Sequence, residues 1–427
     1  MKVLIIGAGV IGVTTAYSLA CRGHHVTVLD RQDGPGRETS FANGSLLHSS
    51  MPEPWNGPGC WRALIRSLGR SDSALQLRLR ALPAMMGWGV KFLCNSRPET
   101  FERNTLSNLR LARHSLRVMQ SLRREAELEY GRVARGSLRI FRNAAAFDQA
   151  VAVAGGRLSE GLSFRKLSSI GVVKLEPALA PIESNLAGAI HYDADEIGDA
   201  HQFCVALASR AKQRCVEFRF ETEVHSLEGS ADRVTGAISG DERFEADRYI
   251  VAAGSYSPLL LKRLGIRLPV QPAKGYSITL RGDDSVQSLK IPVIDAQLHA
   301  AVVPLKGMIR VAGTAEFSGY DLSLHPKRTR NLVTLLTAVL PEIPFDSESV
   351  QPWCGLRPLS PDGVPIIGPT PISNLWVSTG HGHLGWTMAA GSARLLADLL
   401  SGDSSSIDPL PYDPRRFISG VGIRGNR

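Results

Sequence analysis

Gly7, Gly9 and Gly12 stand in the pattern Gly-x-Gly-x-x-Gly directly after the apolar run Val3–Ile6, and Asp30 follows eighteen residues later. The first glycine of such a pattern permits a tight turn. The second lets the backbone approach a diphosphate, and the third lets helix and strand pack closely. The helix that follows, with Val10 and Ile11 in the turn leading into it, presents unpaired N–H groups and the positive end of its dipole to that diphosphate. Asp30 suits a ribose hydroxyl and repels a 2′-phosphate, while Arg31 beside it leaves room for a phosphorylated nucleotide. The fingerprint alone does not say which dinucleotide is bound.

A second set of residues points to a small acid. Arg357, flanked by Gly355 and Pro358, offers a planar fork that matches a carboxylate; an ion pair with Asp362 is its structural alternative. Tyr276, after Lys274-Gly275, suits closure over a bound carboxylate or packing on a strand. His48, His299, His381 and His383 are candidates for a site wall, although single histidines more often serve structure. No general-base pair or nucleophile stands out. The six cysteines show neither C-x-x-C spacing nor clustering with histidine, so no metal site is expected. Reduced thiols and a cytoplasmic location are expected instead. Cys354 reads as a small buried thiol.

The elements that must position these groups are readable nearby. Val3–Ile6 is a strand buried on both faces, Val13 to Cys21 a helix, and Val26–Leu29 a second strand, a complete βαβ unit. Leu109, Ala112, Leu116, Met119, Leu122 and Ala126 mark one face of a long helix, with Pro83 and Pro98 breaking the region into separate helices. Asp199 is a predicted N-cap for a helix through Lys212. Strands are predicted at Val216–Phe220, Val234–Ile238, Tyr249–Val251, Tyr276–Leu280, Ala301–Leu305 and Ile309–Ala312, and a helix at Arg328–Leu340. The glycine-rich loop Gly380–Gly385 opens a final helix through Leu400, and the residues from about Pro414 are expected to fray.

With 427 residues and 43% apolar content the chain suits two interleaved domains. No run approaches the roughly 18 apolar residues of a membrane span, and no secretory leader is expected. The net charge of +9 is concentrated: between Trp61 and Arg142, 17 Lys and Arg face 6 Asp and Glu. Such a region suits an anionic lipid surface, a nucleic acid or an ordinary solvated face. It lacks the interleaved aromatics of a nucleic-acid binder.

Beyond the nucleotide unit, Glu38-Thr-Ser-Phe-Ala-Asn-Gly44, Val251-Ala-Ala-Gly254, Pro272-Ala-Lys-Gly-Tyr276, Gly355-Leu-Arg-Pro358, Pro361-Asp-Gly363 and Gly380-His-Gly-His-Leu-Gly-Trp-Thr387 appear in order along the chain. Together they resemble the D-amino-acid oxidase and glycine oxidase superfamily of FAD-dependent oxidoreductases. Within it the chain most resembles the small, catalytic subunits of bacterial D-amino-acid dehydrogenases, which share the basic helical insertion.

The resemblance implies an α/β fold: a Rossmann-type FAD-binding domain of discontinuous segments (1–56, 195–262 and 350–427) interleaved with an α+β substrate domain (57–194 and 263–349, with the basic helical insertion near 61–142). It implies FAD, held by the fingerprint residues together with Thr39, Ser40, Asn43, Gly44, Val224, Ala253, Gly254, Gly382, His383, Leu384, Gly385 and Thr387. Arg357, Tyr276 and His48 are the implied catalytic set. The implied reaction moves a hydride from the Cα of a free D-amino acid to flavin N5, with electrons passed on to a quinone or another carrier. D-proline or hydroxy-D-proline oxidation and an O₂-using oxidase remain open alternatives. His48 and His383 depart from the family's pattern and put substrate range in question. The implied setting is cytoplasmic, with peripheral contact at the inner face of the membrane.

Overall fold

A computed structural model describes residues 1–62, 75–282, 289–344 and 349–417. Part of the basic insertion and the last ten residues lie outside them.

The apolar run at the N-terminus becomes the strand Lys2–Ile6, which sits inside a six-stranded sheet. Its neighbours are His25–Leu29 and Arg248–Val251, both parallel. Glu217–Arg219 extends one side; Leu375–Thr379 and the antiparallel Ile366–Pro369 extend the other. The helix Val10–Ala20 packs against Ala200–Gln213 and Gly385–Ser401, and these three share one apolar core. Gly7 has φ +109°, and a Cβ there would lie 2.6 Å from the Ala252 carbonyl oxygen. At Gly12 a Cβ would overlap the Gly7 carbonyl. Glycine is therefore obligatory at both places.

A second, nine-stranded sheet runs in the order Val350–Leu359, Gln271–Arg281, Met308–Phe317, Ala300–Leu305, Val293–Asp295, Ser137–Phe141, Gly188–Tyr192 and Arg165–Leu167. Leu75–Leu77 pairs beside Met308–Phe317. The fold class is the expected one. The predicted strands are present but longer, because pairing continues past the apolar residues that signal them. Asp199 does cap the helix Ala200–Gln213, accepting from the His201 and Gln202 amides.

Pro83 and Pro98 each stand in the first turn of a helix, Leu82–Cys94 and Pro98–Ala126. The long helix lays its apolar face on Gly385–Ser401, with Ser115 against Gly391. Two segments thus cross the expected division. Pro98–Ala126 shares the core of the nucleotide helices, and Val350–Leu359 pairs along Gln271–Arg281 in the other sheet. The expected fraying from Pro414 is corrected for residues 414–417. Pro414 is buried, and Arg416 donates to Asp362 Oδ2 at 2.8 Å and to the carbonyls of Val364 and Pro365. That same contact takes Asp362 away from Arg357.

Much of the basic excess is spent inside the fold. Arg123 and Arg132 both hold Glu196, Arg78 holds Glu316 and Arg142 holds Asp295. Asn104 and Asn108 on the long helix donate to the carbonyls of Asp362, Pro52 and Gly363, fixing two loops that border the cavity described next.

Candidate active site

Between the two sheets lies a cavity of about 1280 Å³. Ligand pockets usually span roughly 300–1,000 Å³, so this one has room for a large cofactor and a small second molecule. Its walls include Gly7, Gly9, Val10, Ile11, Asp30, Arg31, Thr39, Ser40, Asn43, Gly44, His48, Val224, Ala253, Gly254, Tyr276, Gly382, His383, Gly385 and Arg357. Nearly every residue singled out in the sequence is brought together here. Gly12, Leu384 and Thr387 stand behind the lining: Gly12 locks helix to turn, Leu384 joins the core, and Thr387 Oγ1 accepts from the His48 amide at 3.2 Å.

Two helix N-termini open on the cavity. Neither Val10–Ala20 nor Gly385–Ser401 is capped by the side chain of its own N-cap residue, Gly9 and Leu384. Val10 N–H donates to Ser40 Oγ at 3.1 Å. Such ends favour negative charge. Asp30 Oδ2 accepts from the Ala8 amide at 2.5 Å and Oδ1 from the Gln32 amide at 2.9 Å. Burial raises the carboxyl's pKa against those bonds. Arg31 pairs with Glu38 at 2.5 Å and lies 4.0 Å over the Tyr256 ring. Burial works against its charge, but Tyr256 and Glu38 more than compensate and hold it charged. The room that Arg31 left for a nucleotide phosphate is thus taken by the Glu38 carboxylate.

Arg357 projects from Val350–Leu359 across the neighbouring strand, and its Nη1 donates to the Thr314 carbonyl at 3.3 Å. Among the described residues it has no carboxylate partner. It faces the cavity rather than bulk water, and desolvation lowers its pKa to about 10, still charged at neutral pH. Trp55 lies 5.6 Å from the guanidinium and stacks on His383 at 5.6 Å and 19°. Burial lowers His48 to about 4 and His383 to about 3, where His48 and Arg357 add to the effect. His381 falls to about 3 by burial as well, with Nε2 beside Ser392 Oγ at 3.0 Å. All three are neutral near pH 7.

Of the two readings of Tyr276, closure over a bound carboxylate and packing on a strand, its surroundings match the second. The hydroxyl donates to Glu316 Oε2 at 2.8 Å, a buried carboxylate already paired with Arg78. The ring joins the core of the nine-stranded sheet. Cys354 does not line the cavity, and its Sγ lies 3.1 Å from the Leu322 carbonyl.

Three wall residues without a glycine's freedom have positive φ: Ser45 (+55°), His299 (+51°) and Thr314 (+55°). Strained backbone of this kind gathers at ligand sites. Of these only His299 was marked in the sequence. Trp55 was not; its one signal is an aromatic that directly follows two prolines in Pro52-Glu-Pro-Trp55.

A model of the family described as FAD dependent oxidoreductase matches residues 2–399. The chain belongs to that family. FAD is the cofactor of this FAD-dependent oxidoreductase, and the cavity fits it, with the glycine turn, residues of both helix ends and Asp30 among its lining. The chain is 42% identical over 422 residues to a D-amino acid dehydrogenase of Paramagnetospirillum magneticum, covering 98% of this chain and 99% of that one. It is 41% identical over 407 residues to a D-amino acid dehydrogenase of Dechloromonas aromatica, covering 94% and 97%. Among solved structures it is similar to a glycine oxidase of Geobacillus kaustophilus (TM-score 0.74, 23% identity, covering 98% of this chain and 100% of that one). It is also similar to an L-proline dehydrogenase of P. horikoshii (TM-score 0.76, 18% identity, 97% of each chain). These two likenesses speak for the fold.

Proposed function

We propose that this FAD-dependent oxidoreductase is a dehydrogenase of free D-amino acids, converting them to imino acids that water hydrolyses to keto acids. The observation that carries the reading is Arg357, a charged guanidinium on the cavity wall with no carboxylate partner among the described residues. A charge kept there is costly unless an anion meets it, and the α-carboxylate of an amino acid is such an anion. The full-length similarity to D-amino acid dehydrogenases supports the class and the handedness.

FAD, when bound, supplies the hydride acceptor at its N5. The chain's own contribution is positional. Arg357 would fix the carboxylate, Gly9 and the two helix ends would hold the diphosphate and the pyrimidine ring, and Asp30 would take a ribose hydroxyl. His48 and His383 are too weakly basic to collect the amine's proton efficiently near pH 7, which leaves that proton to solvent.

The same reading sends the electrons to a membrane quinone or another carrier. Met86, Val90 and Leu93 lie at helical spacing on one face of Leu82–Cys94 and are 67%, 63% and 42% exposed. The opposite face carries Met85, Trp88 and Phe92 into a core with Trp55. An apolar stripe in a basic region suits peripheral contact with an anionic bilayer.

The deciding experiment is an anaerobic absorbance titration with D- and L-amino acids, including both prolines. Bleaching of the flavin bands by D-alanine and other D-amino acids is expected. Bleaching by D-proline or hydroxy-D-proline alone moves the answer to an imino-acid dehydrogenase, and bleaching by L-amino acids alone rejects the handedness. In Arg357→Ala, FAD should stay bound while kcat/KM falls roughly a hundredfold or more, the range for removing one partner of a buried charge pair. Normal reduction of that variant rejects the carboxylate role.

A further inference from the structure

The sheet side of the cavity carries a second guanidinium, and the reaction as read above does not use it. Arg139 stands in the middle of the strand Ser137–Phe141 and lines the cavity. Its Nε is buried and makes no hydrogen bond. Among the described residues it has no ion-pair partner, because nearby carboxylates are taken: Glu53 by Arg157, Asp295 by Arg142 at 2.9 Å, and Asp195 by the Ser50 and Ser137 hydroxyls. Arg139 lies 5.4 Å over Phe141, two residues along its own strand, and it hydrogen-bonds the Tyr192 hydroxyl, contacts that leave its charge without a carboxylate.

The two arginines line one cavity although their strands are five places apart in the sheet. Arg357 reaches over one strand to the Thr314 carbonyl. Arg139 acts on His299, whose pKa is lowered by burial and then by the Arg139 charge. His299 precedes Ala300, which pairs with Gly313 beside Thr314. Adjacent strands lie about 4.8 Å apart, so His299 and Thr314 share one short stretch of wall. Both residues of that stretch with φ near +50°, His299 and Thr314, sit there, and Thr314 Oγ1 is buried without a partner. The facing wall is continuous too: Glu53 and Trp55 belong to one loop, and Trp55 lies against Arg357.

We propose that Arg139 binds a second anion, the side-chain carboxylate of an acidic D-amino acid whose α-carboxylate is held by Arg357. D-aspartate and D-glutamate are the substrate class this selects. A guanidinium fork on each side fits a dicarboxylate better than any neutral side chain, which would leave Arg139 charged and unpaired. The inference rests on the reading of Arg357 given above.

The test is anaerobic flavin reduction by D-glutamate, D-aspartate and D-alanine in the FAD-loaded wild type, Arg139→Met and Arg139→Lys. The ratio of kcat/KM for D-glutamate to that for D-alanine should fall at least tenfold in Arg139→Met and less in Arg139→Lys. A ratio within twofold of wild type overturns the proposal, as does an equal loss for all three substrates with a changed flavin spectrum, which assigns Arg139 to the cofactor. Should Arg139→Met not fold, the wild type still decides. Glutarate or succinate should perturb its flavin bands at no more than a tenth of the concentration needed for butyrate, and equal potency overturns the proposal. D-alanine bleaching without any response to the acidic substrates rejects this inference alone. Failure of every D-amino acid rejects the parent reading with it.

Discussion

The Arg357 guanidinium lies directly over Gly275 on the neighbouring strand, so close that a Cβ at Gly275 would sit 2.1 Å from Nη1. Gly275 pairs in register with Gly355, where a Cβ would meet the Trp353 ring. Two glycines facing each other on adjacent strands thus make the shallow trough in which the arginine rests.

Gly275→Ala follows from this directly. The strand tolerates alanine, but the guanidinium must lift or swing. FAD content should stay near wild type while KM for the amino acid rises about tenfold or more, roughly 1.4 kcal/mol of lost binding. Steady-state kinetics against flavin absorbance separate the two effects; an unchanged KM shows that the trough does not set the arginine's position.

Gly9→Val tests the nucleotide end. A Cβ at Gly9 meets the protein only at Ser40 Oγ, 3.6 Å away, so the added side chain projects into the cavity rather than into the fold. The variant should fold with a near-normal melting curve yet purify colourless and fail to take up added FAD. A yellow protein sinks the diphosphate assignment.

The histidines make stability pH-dependent. His48, His381 and His383 fall to about 4, 3 and 3, against about 6.5 for an unfolded histidine. Below pH 6.5 the unfolded chain binds protons that the folded one refuses. The stability of the neutral forms is therefore complete above about pH 6.5 and drains away as pH falls toward 4. Melting temperatures measured from pH 8 to pH 4 should decline through that window, and His48→Phe should reduce the slope. An equal slope in the variant refutes a buried neutral His48.

Met86→Glu combined with Val90→Glu should leave catalysis with a soluble dye acceptor intact but weaken sedimentation with anionic vesicles by about tenfold. Undiminished sedimentation places any membrane contact elsewhere.

What the sequence disclosed depends on how far apart the partners lie. The βαβ unit, Asp30 and the Asp199 cap were legible because turn, helix and strand are neighbours in the chain. Arg357 gained its meaning from a motif rather than from its surroundings. The fate of Tyr276 was hidden because its partner Glu316 comes from another strand forty residues away. The internal pairing of Arg78, Arg123 and Arg142 was hidden because their carboxylate partners Glu316, Glu196 and Asp295 lie far downstream. Arg139 carried no local signal at all; only the sheet order brings it to the same cavity as Arg357.

The interleaving of the two sheets has a consequence for biosynthesis. The first βαβ unit leaves the ribosome early, yet the helix that covers it, Gly385–Ser401, and two strands of its sheet come from the last part of the chain. At roughly 5–20 residues per second, the half-built nucleotide layer waits on the order of tens of seconds with its apolar faces uncovered. Cofactor capture is therefore an event of the finished chain, and supplying FAD during translation should raise the yield of active enzyme little beyond supplying it at release.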